Sequence, residues 1–599
     1  MAYDYALVHL KFTIPLAGFL TIILRPLLTR LDLYKTSALV LIAFFATLPW
    51  DSYLIYRGVW TYPPDAIVGP RLFGVPAEEL FFFVIQTYIT AMLYILLNKP
   101  VLHAQFLTNK HDTSPTVRWV KTLGQLFLVI CTAAGALLVR KGEQGTYLGL
   151  VVVWACPFAL LTWNMSGHSL IKLPLPCVAT PIFLPTVYLW VVDELALGRG
   201  TWSIESGTKL GWCLWGSLEI EEAVFFLATN MLIVFGLVAF DRGTAVLDTF
   251  PELFPEASKI PSPAHLLRAV LADPDKYDMA RVRGLREAVE TLRRKSPSFY
   301  LASSVFPGHL RIDLIFLYHF CRVADDLVDE SQTETEALEW INKLTGYLDL
   351  VYHSDNSRLS STQDAITNYI KMNFPDTRRS ALEHLPWRLL PQEPLYELLK
   401  GFQMDIAFTH TGRYQEQSQF PIKYQSDLEA YAHHVASTVG ELCLWLVFHH
   451  SSAKLAHDKE SILIVAARTM GHALQYVNIA RDILVDAEMG RVYLPTEWLK
   501  EEDLTPRDII RDPKQPKAER LRQKLLALAF KEYSRSRPIM NMLPHEIRGP
   551  LVVAVESYME IGRVLRERSD VPSRTKRGQA TVPQPRRIWV AWKNLSSQS

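Results

Sequence analysis

The sequence predicts an all-α protein in two unlike halves, a polytopic bundle of about seven apolar helices followed by a soluble amphipathic helical domain. Long apolar runs dominate residues 1 to about 240, and beyond them apolar and charged residues alternate at helical spacing. Nowhere does a convincing strand-like alternation appear. The 62 basic and 61 acidic residues leave no charge excess, which argues against a nucleic-acid partner. Six cysteines contain no CxxC pair, so neither a disulfide framework nor a cysteine zinc set is indicated.

Allowing ~20 residues per crossing, membrane helices fall near 5–28, 37–56, 76–97, 119–139, 147–165, 175–197 and 215–240. The opening MAYDYALVHLKF lacks a basic region and a cleavage site, so its helix reads as a retained span. The expected domains are a membrane unit at 1–245, a Pro-rich linker at 246–265, a soluble unit at 266–570 and a basic tail at 571–599. The tail reads as a solvated end, with lipid contact through Arg586, Arg587, Trp589 and Trp592 as the alternative. Basic residues such as Lys35, Lys99, Lys172 and Arg242 favour the cytosolic side for the soluble half, against nearly as many on the opposite face, in a membrane that the chain does not identify.

The membrane half repeats itself. Asp51, Arg57, Gly58 and Trp60 recur 142 positions later as Asp193, Arg199, Gly200 and Trp202. After a one-residue slip, Glu78, Glu79, Phe82 and Phe83 recur as Glu221, Glu222, Phe225 and Phe226. The extra fourth span makes the two three-span units parallel, so both glutamate pairs reach one membrane face. Ionisable groups in a span are costly unless they face a cavity, which makes a catalytic reading the default; a helix-start carboxylate favoured by the dipole is the bland one. Neighbours on a helix diverge by about 100°, so opposition of one glutamate from each repeat is expected. In an apolar pocket such a pair divides into acid and base, with Trp60 and Trp202 facing a cation or else forming an interfacial belt.

The second half carries DDLVD, with Asp325, Asp326 and Asp329, and NIARDILVD, with Asn478, Asp482 and Asp486. The i,i+4 spacing aligns Asp325 with Asp329, and Asn478 with Asp482 and Asp486, on single helix faces. Two such faces across a cavity suit Mg²⁺ with a diphosphate, Mn²⁺ being the alternative ion, and Arg322, Arg481 and Arg491 supply forked cations for the anion.

KSPSFYLASSVFP at 295–307, LYHFCRVADDLVDE at 317–330, YAHHVASTVGELC at 431–443 and QYVNIARDILVDAEMGRVYLP at 475–495 resemble the squalene and phytoene synthase family. That resemblance implies head-to-head joining of two geranylgeranyl diphosphates through a cyclopropyl diphosphate. It also implies metal binding by the five aspartates and Asn478, and places Ser298, Tyr318 and Tyr493 beside the substrate. PAEELFFF at 76–83 and LEIEEAVFF at 218–226 resemble the heterodimeric-type lycopene cyclases, with both units in one chain. Their order before the synthase half resembles the bifunctional lycopene cyclase/phytoene synthase family of carotenoid-making fungi. The implied second reaction is redox-neutral, proton-initiated closure of β-rings on lycopene or a related linear carotene, catalysed among Glu78, Glu79, Glu221 and Glu222, with a separate desaturase between the two steps. No flavin or nicotinamide motif is found. A squalene or dehydrosqualene-type synthase on a non-catalytic membrane anchor is the alternative. A retinal protein is excluded, because no lysine lies between Lys209 and Lys259 to form its Schiff base.

Overall fold

Hydropathy and capping set the helix limits in the computed structural model, which describes residues 3–597 apart from 257, 259, 354–358, 412–419, 452–454 and 568–581. Much of the polar insertion read at 353–364 and the start of the basic tail therefore lie outside the described residues. Contacts divide the chain into two compact units, Met1–Val282 and Arg283–Ser599.

The first unit contains seven helices long and apolar enough to cross a membrane: Asp4–Leu27, Arg30–Tyr56, Ala77–Asn98, Pro115–Lys141, Thr146–Lys172, Leu175–Leu197 and Ile220–Thr249. Two limits differ instructively from the sequence reading. The second helix begins at Arg30 because Thr29 and Asp32 form a capping box, which hydropathy does not register. The seventh begins at Ile220 because Cys213–Trp215 and Leu218–Glu219 pair as a short antiparallel hairpin. Outward faces are apolar, with Phe19, Phe45, Phe127, Leu137 and Phe183 all exposed.

Side-chain contacts follow the repeat. Trp60–Thr61 pairs antiparallel with Ser203–Ile204, and the hydroxyls of Thr61 and Ser203, 142 positions apart, lie 2.9 Å from each other. Gln86 Nε2 donates to Thr229 Oγ1 at 2.8 Å, 143 positions away. Lys35 Nζ bonds Asp241 Oδ1 at 2.9 Å, and at the repeat-related positions Asn98 Nδ2 bonds the Cys177 carbonyl at the same distance. Residues that meet their own repeat mates lie along a two-fold axis.

The segment read as a linker does not end the first unit. Arg242 Nη1 donates to the Val270 carbonyl at 2.7 Å and Phe250 stacks on Tyr277 at 4.9 Å, so the chain through Val282 belongs to the first unit.

The second unit is helical throughout. Gly308–Asp329, which carries DDLVD, buries Phe316, Leu317, Phe320, Val323, Ala324 and Leu327 in one core cluster or beside it. His457–Glu488, which carries NIARD, buries Tyr476, Val477, Ile479, Ala480 and Ile483 in another. Each aspartate row is thus the polar edge of a helix whose other faces are anchored apolar. The tail departs from the solvated end expected: Gln584–Ser596 is a helix, and Arg586 pairs with Glu560 and Glu567.

Candidate active sites

In the first unit the two glutamates of each pair part company, as the ~100° step between helix neighbours requires. Glu78 Oε1 accepts the Val68 backbone N–H at 2.6 Å and Glu221 Oε1 accepts that of Leu210 at 2.7 Å, so both fasten loops. Glu79 and Glu222 instead line one cavity, together with Tyr5, His9, Trp60 and Asp193. Trp202, Phe82 and Phe225 complete an aromatic wall.

Hydrogen bonding around the two glutamates is unequal. Tyr5 and Tyr62 both donate to Glu79 Oε2, the latter at 3.1 Å. Glu222 accepts from Tyr147 at 2.7 Å. Tyr5 and Tyr147 are repeat mates, whereas Tyr62 has Ile204 as its counterpart and breaks the symmetry. Asp51 is fully buried and interacts with both glutamates, and among the described residues neither of its oxygens has a hydrogen-bond donor. Asp193 sits against Trp202. No lysine or arginine is among the lining residues, so no cation from the lining faces these carboxyl groups.

In the second unit Asp325 and Asp329 share a face with Tyr318 and Arg322. Gly490, at φ 77°, closes the NIARD helix in the left-handed conformation that glycine tolerates and turns the chain back. Arg491 then reaches the opposite row, its Nη2 lying 2.9 Å from Asp329 Oδ1. This bond spans the two aspartate clusters. Asp405, on Glu393–Thr411, is buried between them and accepts from Tyr493 at 2.8 Å and Tyr431 at 3.2 Å. On the far row Arg481 forks onto Asp482 at 2.8 and 2.5 Å and also bonds Asn478, which accepts from Tyr558 at 2.7 Å.

Asp326, one position on from Asp325, is held by Arg322 at 2.5 Å, Lys295 at 3.3 Å and Arg378 at 3.7 Å, and the same Arg322 meets Asp325 at 3.0 Å. Of the segment 297–303, Phe299 rather than Ser298 is stacked on Tyr558, at 5.2 Å.

Residues 292–586 match the squalene/phytoene synthase family model and residues 4–97 the lycopene cyclase model, the latter covering the first repeat. A bifunctional lycopene cyclase/phytoene synthase of Colletotrichum graminicola is 56% identical over 595 residues, spanning 99% of this chain and 100% of that protein. Proteins of the same description from Podospora anserina and Neurospora crassa are 53% and 52% identical, each over 100% of both chains. The chain belongs to this family.

Members of the squalene/phytoene synthase group use divalent metal ions, and the donor set fits one. Burial, then the neighbouring Asp329, pushes the Asp325 carboxyl up to about 8, although 28% of its side chain stays exposed. Burial and Asp329 likewise push Asp405 up to about 7, against the pull of Arg491. All-oxygen donors that repel one another are what a hard cation relieves. The two rows do not close on one point, since no three of their carboxylates lie within 4.8 Å, which leaves room for waters and phosphate oxygens.

A pH dependence follows. A carboxyl that titrates near 4 when unfolded and at about 8 or 7 when folded keeps a proton that the unfolded chain releases. The metal-free fold is therefore most stable below pH ~4 with respect to these groups and loses that stability as pH rises through 7 to 8. Divalent ions compete with the retained protons, so added Mg²⁺ is expected to raise the thermal midpoint more at pH 8 than at pH 6. Equal increments at both would contradict the assignment.

Sequence reasoning passed over Tyr5, Tyr62, Tyr147 and His9 in the first site and Tyr558 in the second. The 142-residue shift that relates Asp51 to Asp193 also relates Tyr5 to Tyr147 and was the available signal.

Proposed function

We propose that the chain makes phytoene from two geranylgeranyl diphosphates in its second unit and closes β-rings on lycopene or a related linear carotene in its first. The bond from Arg491 to Asp329 across the two aspartate rows carries the first assignment. Arg491 holds the diphosphate end and Tyr318, against Arg322, flanks the allylic carbon that loses it. A bound divalent ion, Mg²⁺ by its preference for oxygen with Mn²⁺ as alternative, would neutralise the departing diphosphate. Asp326 anchors Arg322 rather than ligating metal.

The convergence of Glu79 and Glu222 on one cavity supports the second assignment. One carboxyl donates a proton to the terminal double bond, the cation is captured by a neighbouring double bond, and the other carboxyl removes a proton to leave the ring. Two phenolic donors stabilise charge on Glu79, which favours it as base and Glu222 as acid. Glu78 and Glu221 fasten the flanking loops. The aromatic wall faces the cationic intermediate with its π surfaces.

The exposed apolar faces of the seven helices support insertion in a bilayer. Because phytoene lacks the conjugation of the cyclase substrate, a separate desaturase acts between the two steps. Expression of the intact chain in cells supplying geranylgeranyl diphosphate, and separately lycopene, tests both assignments. Phytoene and ringed carotene are expected, and absence of either product sinks the corresponding half.

A further inference from the structure

The stretch YAHHVAS contributes Tyr431 to the aspartate site. His433 and His434 lie on a π-helical turn, His433–Ser437, that follows the helix Gln425–Ala432. Single π turns are uncommon and recur at functional positions. Here the turn presents two consecutive imidazoles to Glu397, on the helix that also carries Asp405. Ligand atoms of Glu397, His433 and His434 lie within 4.8 Å of one another, and His433 Nε2 is 2.9 Å from Glu397 Oε2. His433 and Glu397 keep 30% and 34% of their side chains exposed, so the group is reachable from solvent. His472, from the NIARD helix, brings its ring centroid to 6.2 Å from that of His433.

A simple ion pair between His433 and Glu397 leaves two facts unexplained. Among the described residues His434 Nδ1 and His472 Nε2 are buried without a hydrogen-bond partner, and buried polar atoms are seldom left so. We propose that Glu397, His433 and His434 form a second metal site, separate from the aspartates, that takes a transition-metal ion of the Zn²⁺ class, with His472 beside it as a further nitrogen donor. The donor chemistry separates the two sites. Magnesium favours all-oxygen shells, whereas two imidazoles and one carboxylate are a zinc ligand set.

Such an ion bridges elements that hold the synthase site. Glu397 and Asp405 share one helix, while Tyr431, which donates to Asp405, lies just before the π turn. The two elements already meet closely, since a Cβ on Gly401 would come within 2.6 Å of Val435. The ion thus braces Asp405 without touching substrate.

The test uses the full chain in detergent, stripped with chelator and titrated with Zn²⁺, and with Co²⁺ as a visible-absorbing probe, in excess Mg²⁺. One Zn²⁺ equivalent that Mg²⁺ does not displace is expected. Affinity should fall in His433→Ala, His434→Gln and Glu397→Gln by at least the roughly 10- to 100-fold that loss of an outer-shell partner costs, and survive in Asp329→Asn. Retained Mg²⁺-dependent thermal stabilisation identifies the histidine variants that are folded, and the conservative His434→Gln guards against a collapsed alanine variant. No such equivalent, an undiminished one in folded His433→Ala, or one lost in Asp329→Asn would overturn the proposal.

Discussion

Glu222→Gln in the intact chain is expected to stop ring formation and leave linear carotene to accumulate, with phytoene output unchanged. The amide keeps the volume of the carboxyl and can still meet the Tyr147 hydroxyl, but it neither gives nor takes a proton at the pH of the cavity. Loss of a positioned general acid or base costs about 10²–10⁴-fold, which places ring formation below detection in a pigment assay. Glu79→Gln should do the same. Glu78→Gln separates chemistry from support, because the Glu78 carboxylate accepts the Val68 backbone N–H. The Gln amide oxygen can still accept the Val68 N–H, and one such hydrogen bond contributes about 0.5–1.5 kcal/mol, so this variant should lower the thermal midpoint and the yield at most modestly while still producing rings. Equal loss in Glu78→Gln and Glu79→Gln would remove the distinction between the two, and ringed product from Glu222→Gln would remove the cyclase assignment itself.

The repeat makes half of this legible in the sequence. A shift of 142 positions, with one slip, ties the two glutamate pairs together, and hydrophobic run length locates the seven helices. Which glutamate of each pair faces the cavity was not legible. That choice depends on whether Val68 and Leu210 offer their N–H groups to Glu78 and Glu221, a property of loop backbone that no residue pattern encodes. Tyr5 and Tyr147 obey the same shift, but aromatic residues are so frequent in apolar helices that a single repeated tyrosine stands out little. In the second unit i,i+4 spacing aligned Asp325 with Asp329. Asp326 shares Arg322 with Asp325, as i,i+4 and i,i+3 spacing allows, whereas its partners Lys295 and Arg378 come from distant sequence and were invisible. The helix Gln584–Ser596 hid behind the basic composition of the tail, although Arg586 is the residue that docks it.

Arg491→Gln is expected to reduce phytoene synthesis severely, with fed lycopene still converted to ringed carotene. Arg491 bridges Asp329 at 2.9 Å and also lies against Asp405, so in the free enzyme it answers repulsion among buried carboxylates, and with substrate it offers the same fork to the diphosphate. The two roles separate by measurement. If Arg491 only braced the fold, the variant would lose activity in step with its thermal midpoint, and its affinity for inorganic diphosphate would be unaltered. If it binds the leaving group, KM rises and kcat falls together, because the contact strengthens as negative charge gathers on the diphosphate. Removing the cation also leaves Asp329, Asp405 and Asp486 to repel one another without relief, so the thermal gain from Mg²⁺ should become larger in Arg491→Gln than in the parent even as diphosphate binding weakens. Arg491→Lys retains the charge but not the planar fork, and should recover stability ahead of activity. A variant that loses diphosphate affinity while gaining metal-dependent stability fits only an arginine that stands between the two aspartate rows and the anion.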